Sequence, residues 1–135
     1  MTAIPTADRA LLAAEVMSAP AVSVTPETSV WRAWSLMSET GLRHLVVAVD
    51  ERCVGVVDDR TVFAQWPNGP LALRRRCVGQ IMRVPTACVL PGTDMREVAR
   101  VMLREAVDNV PVIDTNGSLV GIVTRTDVVA AVAGS

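Results

Sequence analysis

The feature that most constrains this chain is an internal repeat. Residues 16–49 resemble residues 81–114 position by position, 65 residues further along the chain. One residue is then inserted, and Val54–Val57 corresponds to Val120–Val123. The chain of 135 residues therefore consists of two copies of a unit of about 50 residues. Because a unit this small buries its apolar face poorly by itself, we expect the two copies to pack together.

Within each copy the hydrophobic pattern changes in the same order. A short β-type run ends at a proline, and apolar residues then recur at the i, i+3, i+4 and i+7 spacing of one helix face. Two apolar runs joined by a turn predict a pair of strands, and a second helix follows. Each copy is therefore predicted to be strand, helix, strand, strand, helix. The predicted strands are 21–24, 45–49 and 53–57 in copy one, and 86–89, 110–113 and 119–123 in copy two.

The repeat also predicts helix starts and domain boundaries. Thr28 and Thr93 stand ahead of the first helix of each copy as expected N-caps. Residues 1–15 form a predicted N-terminal helical segment, with an amphipathic helix over Thr6–Val16. The predicted domains are 16–65 and 81–133, joined by a linker over 66–80.

Charge and composition exclude several functional classes. The net charge of −1 supplies no positive field for nucleic acid or an anionic membrane, so neither is an expected partner. All 13 cationic side chains are arginine, and the absence of lysine excludes Schiff-base chemistry and a Walker-type phosphate loop. The single histidine, His44, cannot form a multi-histidine metal site and has no nucleophile beside it. We therefore expect no enzymatic activity and no required cofactor.

The cysteines and the hydropathy pattern bear on the compartment. Cys53, Cys77 and Cys88 are widely spaced and odd in number, which favours reduced thiols over a disulfide framework. The sequence has neither a secretory signal pattern nor an apolar run of the roughly 20 residues that span a bilayer. A cytoplasmic location is the resulting expectation.

A candidate anion site lies where the last strand of copy two meets its last helix. Thr124 follows the strand, and Asp127 falls in the first helical turn. The outward-pointing amides of that turn and the helix dipole suit a phosphate near Thr124 and Arg125, while an ionised Asp127 suits two ribose hydroxyls. The same residues also make an ordinary helix start, with Thr124 as the cap and Asp127 serving the dipole. Both interpretations stand at the sequence level.

These segments resemble a known family. Residues 110–114 (Val-Pro-Val-Ile-Asp) and 119–128 (Leu-Val-Gly-Ile-Val-Thr-Arg-Thr-Asp-Val) resemble the signature of a CBS domain, and residues 41–45 and 54–61 resemble a degenerate version of it. The resemblance implies an α+β fold, a tandem CBS-domain pair of two β-α-β-β-α units related by a pseudo-twofold axis, with two clefts between them. It also implies an adenosine-containing ligand: AMP, ADP, ATP or S-adenosylmethionine.

The resemblance implies roles for particular residues. It implies that the ribose lies at Asp127 and that the phosphate lies at Thr124 and Arg125. The residues implied to line the rest of the ligand site are Thr86, Ala87, Val107, Asn109, Val110 and Pro111. Copy one departs from the motif, because Asp58 replaces the threonine and would repel a phosphate, while Thr61 replaces the aspartate. We therefore expect at most one good nucleotide site.

The resulting functional hypothesis is a ligand sensor that signals to a partner chain that the sequence does not identify. The alternative is a ligand-free structural or interaction protein that has kept the fold and lost the site. The family implies a homodimer, and Trp31, predicted to point off the packed helix face, is the candidate for its centre. Alternatively, Trp31 lies flat on its own subunit. The sequence assigns no role to Arg74–Arg76 or Cys77.

Overall fold

A computed structural model describes residues 11–134 of the chain. The helices and strands follow the predicted order. They are α1 (Ala13–Val16), β1 (Ser23–Val24), α2 (Val30–Thr40), β2 (His44–Val49), β3 (Arg52–Asp58), α3 (Asp59–Phe63), α4 (Gly69–Arg75), α5 (Met95–Glu105), β4 (Asn109–Ile113), β5 (Leu119–Thr124) and α6 (Arg125–Ala133). None of the helices in residues 11–134 has the length and apolarity needed to cross a bilayer.

The described residues form two compact units whose boundaries differ from the predicted ones. Unit 2 is the continuous segment Ala21–Pro85. Unit 1 combines the residues up to Pro20 with those from Thr86 onward. Residues 11–20 thus complete copy two, and residues 78–85 complete copy one. We call these two stretches the completing segments. The predicted helix over Thr6–Val16 begins outside the described residues, and within them only Ala13–Val16 is helical.

Equivalent backbone hydrogen bonds attach the completing segment in both units. The amide of Ala13 donates to the carbonyl of Thr93 in unit 1, and that of Val78 donates to Thr28 in unit 2, both at 2.8 Å. One antiparallel bridge then extends each hairpin. These bridges join Ser18 to Ile122 and Arg83 to Val56. Main-chain groups thus attach each completing segment, and buried side chains such as Ala13 and Val78 pack it into the core of its unit.

The sheet of unit 2 has the order β1-β2-β3, with β1 parallel and β3 antiparallel to β2. Helix α2 packs its apolar face on this sheet, burying Val30, Ala33 and Met37. The segment 66–80, predicted as a linker, also belongs to this core. It contains α4, whose Leu73 is fully buried, and a 3₁₀ turn in which Val78 is fully buried. Residues of the predicted linker therefore contribute buried side chains to this unit.

The tryptophans of unit 2 form one cluster. The ring centroid of Trp34 lies 5.5 Å from that of Trp31 and 5.6 Å from that of Trp66. The Arg74 guanidinium lies 4.8 Å from the centroid of Trp31 and covers that ring. Trp31 thus lies half-buried against its own subunit, which is the alternative stated above. A role for Trp31 at a dimer centre stays a prediction.

Unit 1 has a two-stranded sheet of β4 and β5, with α5 packed through Val98, Val101 and Met102. The predicted strand 86–89 is reduced to a single parallel bridge between Val89 and Val112.

Helix caps lie one residue beyond those predicted. Ser29 and Asp94 are the N-caps of α2 and α5, accepting from the amides of Arg32 at 3.0 Å and Arg96 at 2.7 Å. The hydroxyls of Thr28 and Thr93 instead accept from amides three residues earlier, at Thr25 and Leu90. Each threonine therefore closes the turn that precedes the helix.

The glycine of the last strand in each unit faces a methionine. A methyl group added at Gly121 would collide with Met17, and one added at Gly55 would collide with Met82. Each glycine therefore leaves room for the completing segment of its own unit. Met17 and Met82, which occupy equivalent positions of the repeat, fill that room.

The ends of α2 and α5 provide a matched test of the fold. Both helices end in the left-handed conformation, at Gly41 with φ of 74° and at Ala106 with φ of 56°. Because an L side chain is strained there, we expect Ala106→Gly to raise, and Gly41→Ala to lower, the free energy of unfolding by about 1 kcal/mol each.

Urea unfolding of the two variants and the parent measures both changes. The control is Ala130→Gly, which places the same substitution inside right-handed α6 and should lower stability. An Ala106→Gly variant no more stable than the parent would contradict the assignment of strain at this helix end.

Candidate functional site

The first turn of α6 is closed by reciprocal hydrogen bonds between Thr124 and Asp127. The Thr124 hydroxyl accepts from the Asp127 amide at 3.3 Å. Asp127 Oδ2 accepts from the Thr124 amide at 2.9 Å and from its hydroxyl at 3.1 Å. This is a capping box in which aspartate occupies the position usual for glutamate. The structural interpretation of these two residues therefore describes them correctly, and any ligand has to act on a pair already bonded to each other.

A third residue reaches the same carboxylate. Ser18, from the completing segment of unit 1, donates its hydroxyl to Asp127 Oδ1 at 3.3 Å and Oδ2 at 3.4 Å. The backbone of Ser18 is paired with Ile122 in β5, which brings its side chain to the start of α6. Sequence reasoning missed Ser18, because it lies 109 residues from Asp127 and no pattern signals that its segment folds with copy two.

Asn109 lies directly opposite Thr124 in the β4-β5 ladder. Its side chain is 3% exposed, and its Nδ2 donates to Asp108 Oδ1 at 3.0 Å. That bond fixes the amide orientation, since a carboxylate oxygen can only accept. The opposite end, Oδ1, is buried and accepts no hydrogen bond from any described residue. A buried carbonyl without a donor costs about 1–3 kcal/mol, so this atom needs a partner.

Some of the apolar residues predicted to line the ligand site are buried in the core of unit 1. Val110 is fully buried in the core of unit 1, and Pro111 is buried beside it in β4. Ala87 and Val107 are half-buried and pack against the same core. These four residues lie in one unit with Thr124, but Val110 presents almost no side-chain surface. Its predicted contact with an adenine could involve only its backbone.

Thr86 and Arg125 are exposed. Thr86 donates its hydroxyl to Glu105, the last residue of α5, and this bond, more than the neighbouring Arg104, lowers the pKa of the Glu105 carboxyl. The Arg125 amide donates to the Asp108 carbonyl at 2.8 Å, which holds the start of α6 against the start of β4. Glu105 is a second residue that the sequence pattern did not indicate.

The equivalent place in unit 2 has the opposite arrangement of groups. Asp58 caps α3 by accepting from the Thr61 amide at 2.8 Å. His44 lies opposite Asp58 in the β2-β3 ladder, where unit 1 has Asn109 opposite Thr124. A carboxylate thus stands at the helix start itself, and a hydroxyl stands in the first turn. This charge opposes a phosphate at the N-terminus of α3.

Comparison with known proteins identifies the repeat. A model of the CBS domain matches residues 13–66 and again residues 78–134. The chain belongs to the CBS domain family. The repeat inferred from the 65-residue spacing, and the CBS resemblance of its two copies, are therefore confirmed.

Solved CBS structures share this fold over nearly the whole chain. CBSX2 in complex with AMP is 31% identical, with a TM-score of 0.77, over 91% of this chain and 96% of that one. The CBS-pair protein CBSX2 from Arabidopsis thaliana has a TM-score of 0.79 at 28% identity, over 93% and 96%. The CBS pair of MJ0100, with 5′-methylthioadenosine and S-adenosyl-L-methionine, has a TM-score of 0.81 at 21% identity over 93% and 98%, and it supports the fold alone.

Curated relatives are longer proteins. An inosine-5′-monophosphate dehydrogenase from Korarchaeum cryptofilum is 36% identical over 108 residues, which is 79% of this chain and 21% of that protein. The choline transport ATP-binding protein OpuBA from Bacillus subtilis is 29% identical over 115 residues, 85% and 29%. The chain thus spans less than a third of either relative.

The contact between Thr86 and Glu105 can be tested by titration. We expect Thr86→Val to raise the pKa of Glu105 towards its ordinary value, since the largest cause of the lowered pKa is lost. NMR titration of the side-chain carboxyl carbon measures this change. Thr93→Val, which removes a hydroxyl bonded to Leu90 instead, should leave the Glu105 pKa unchanged.

The sign of the stability effect follows from the lowered pKa. A carboxyl whose pKa falls on folding adds stability above its unfolded pKa, and that stability is lost as pH falls through the folded pKa. Thr86→Val should therefore be less stable than the parent near neutral pH, with the difference shrinking in acid. An unchanged Glu105 pKa in the variant would contradict the contact.

Proposed function

We propose that this CBS pair is a regulatory module that binds one adenosine-containing ligand in unit 1 and passes the binding event to another protein. The ligand class is AMP, ADP, ATP or S-adenosylmethionine, and the contacting residues are the nine named above, centred on Asn109, Thr124 and Asp127. The role is binding rather than catalysis, in the cytoplasm, with no cofactor required. The effector protein is a separate chain.

The observation that carries this proposal is the unpaired carbonyl of Asn109. Its Oδ1 is buried and accepts no hydrogen bond from residues 11–134. It lies in the ladder position opposite Thr124, so a donor from a ligand bound there would satisfy it. The adenosine moiety of each candidate ligand carries three donor groups, the exocyclic amine of the base and the 2′- and 3′-hydroxyls of the ribose. Ligand binding would then remove the free-energy cost of the unpaired Asn109 carbonyl as well as add contacts.

The capping box supplies the anion end of the proposed site. Asp127 now accepts from Thr124 and Ser18, and two ribose hydroxyls could replace these donors without leaving the carboxylate unpaired. The Thr124 hydroxyl would then be released to a phosphate or carboxylate at the N-terminus of α6, where the helix dipole favours negative charge. AMP bound to CBSX2 supports the ligand class.

One observation favours the alternative, a ligand-free structural or interaction pair. Thr124 and Asp127 already satisfy each other, so the start of α6 needs no ligand to be stable. The equivalent helix start in unit 2 is also capped, by Asp58, although its carboxylate opposes a phosphate. Both halves could therefore be retained for the fold alone, and a binding measurement distinguishes the two functions.

The experiment is calorimetric titration of AMP, ADP, ATP and S-adenosylmethionine against the parent, Asp127→Asn and Asp58→Asn. We expect one site per chain in the parent. Loss of a charge-assisted bond of about 1.5–3 kcal/mol should weaken binding in Asp127→Asn by roughly 10–100-fold. Asp58→Asn makes the matching change to the other helix cap and should bind like the parent.

Thermal unfolding of the same three proteins separates affinity from stability. Asparagine caps a helix about as well as aspartate, so Asp58→Asn should leave the melting temperature of the free protein near that of the parent. Asp127→Asn removes the charge from the capping box of α6 and should lower the melting temperature slightly. If none of the four compounds bound or raised the melting temperature, the structural alternative would replace the proposal. Equal loss of affinity in both variants would contradict the placement of the ligand in unit 1.

A further inference from the structure

One side of α4 combines an exposed leucine with two exposed arginines. Leu71 lies three residues before Arg74 and four before Arg75, the spacings that place side chains on one face of a helix. Leu71 is 59% exposed, and both arginines are exposed as well. We call these three residues the α4 face. Leu73, which is fully buried, anchors α4 in the core of unit 2 from the other side of the helix.

The two arginines of the α4 face have no acidic partner in the described part of the chain. Residues 11–134 supply neither of them with a side-chain ion pair, whereas Arg100 and Arg104 pair with glutamates of their own helix, α5. The last turn of a helix favours positive charge, which accounts for the arginines but not for an exposed leucine beside them. Unpaired cations next to an apolar side chain suit a partner that supplies both carboxylates and an apolar group.

The guanidinium of Arg74 is held in place by aromatic packing. It lies 4.8 Å from the centroid of the Trp31 ring, which in turn packs against Trp34 at 5.5 Å. A guanidinium over an aromatic face keeps N–H donors at its edge for a carboxylate. The end of α4 is also fixed, because the Val30 amide donates to the Arg76 carbonyl at 2.9 Å. Arg74 is therefore preorganised, which lowers the entropy cost of binding an anion.

The charge of the chain is divided unevenly between its units. Ala21–Pro85, which contains α4, has eight arginines and six acidic residues, and the rest of the chain has five arginines and eight acidic residues. The net charge of −1 opposes a long polyanion such as RNA. A short acidic segment instead interacts mainly with charges within the screening length of about 8–10 Å, and at the end of α4 these include Arg74–Arg76. The charge distribution therefore favours a local acidic ligand over an extended polyanion.

We propose that the α4 face binds an acidic segment of the effector protein, in which carboxylates flank an apolar residue. The carboxylates would accept hydrogen bonds from Arg74 and Arg75, and the apolar residue would pack on Leu71. Arginine and tryptophan are enriched among the residues that dominate protein interfaces, and Trp66, 38% exposed in the turn before α4, is a further contact. That the segment belongs to the effector rests on the proposed function, whereas recognition of such a peptide by α4 does not.

Fluorescence anisotropy of a fluorescein-labelled peptide, Glu-Glu-Leu-Glu-Glu, tests this recognition on the full chain without nucleotide. We expect saturable binding that weakens when sodium chloride is added, because salt screens exposed charge pairs. The double substitution Arg74→Gln/Arg75→Gln should weaken binding about tenfold, since two such pairs are lost. The matched control is Arg96→Gln/Arg100→Gln, which removes the same charge from exposed positions of α5 and should bind like the parent.

A double-mutant cycle tests the apolar contact. Leu71→Ser should weaken binding of Glu-Glu-Leu-Glu-Glu about fivefold, because the peptide leucine loses its apolar partner. The same substitution should leave binding of Glu-Glu-Gly-Glu-Glu unchanged, since that peptide has no apolar side chain to lose. Equal weakening for both peptides would contradict the contact with Leu71. Circular dichroism of each variant confirms that lost binding is not loss of the fold.

Three results would overturn the proposal. The first is a parent that does not bind Glu-Glu-Leu-Glu-Glu at millimolar concentration. The second is a control variant, Arg96→Gln/Arg100→Gln, that loses as much affinity as the variant of α4. The third is a labelled oligouridylate that binds more tightly than the peptide through the same two arginines of α4, which would make this a surface for RNA. A chain that binds the peptide but no nucleotide would support the α4 face and count against the proposed function alone.

Discussion

Each unit depends on backbone hydrogen bonds between one copy of the repeat and the residues at the start of the other copy. The bridge between Ser18 and Ile122 closes unit 1, and the bridge between Arg83 and Val56 closes unit 2. In each unit the completing segment from the start of the other copy pairs with the edge of the hairpin. Unit 2 is continuous along the chain, whereas unit 1 has the whole of Ala21–Pro85 inserted within it. Loop-closure entropy grows only slowly with loop length, so an insertion of this size is thermodynamically tolerable.

The repeat pattern predicted most of the helices and strands, because hydrophobic periodicity reflects side-chain burial. It could not predict the unit boundaries, since the completing segments are attached through main-chain amides and carbonyls that carry no sequence signal. The sequence left the packing of Trp31 on its own subunit open for a related reason. The residues that cover it, Trp66 and Arg74, come from a segment that reads as a polar linker.

The sequence indicated the residues at the centre of the candidate site but not Ser18, which contacts them from another segment. Thr124, Asp127 and Asn109 do lie at one strand-to-helix junction, because a strand followed by a helix start is a local arrangement. Ser18 joins that region from a distant segment, and only the fold brings it there. The orphaned carbonyl of Asn109 is likewise a property of packing, since the sequence contains nothing that distinguishes a satisfied amide from an unsatisfied one.

The differences between the two copies are concentrated where the fold constrains side chains least. At the strand-to-helix junction both units need the same amide-to-carbonyl bond and a capping side chain with an acceptor oxygen. Threonine and aspartate both supply the acceptor oxygen of the cap, and the amide-to-carbonyl bond uses backbone groups alone. Equivalent positions can therefore differ in charge at little cost to stability. A duplicated unit can in this way place different charges at equivalent junctions, while both copies keep one fold.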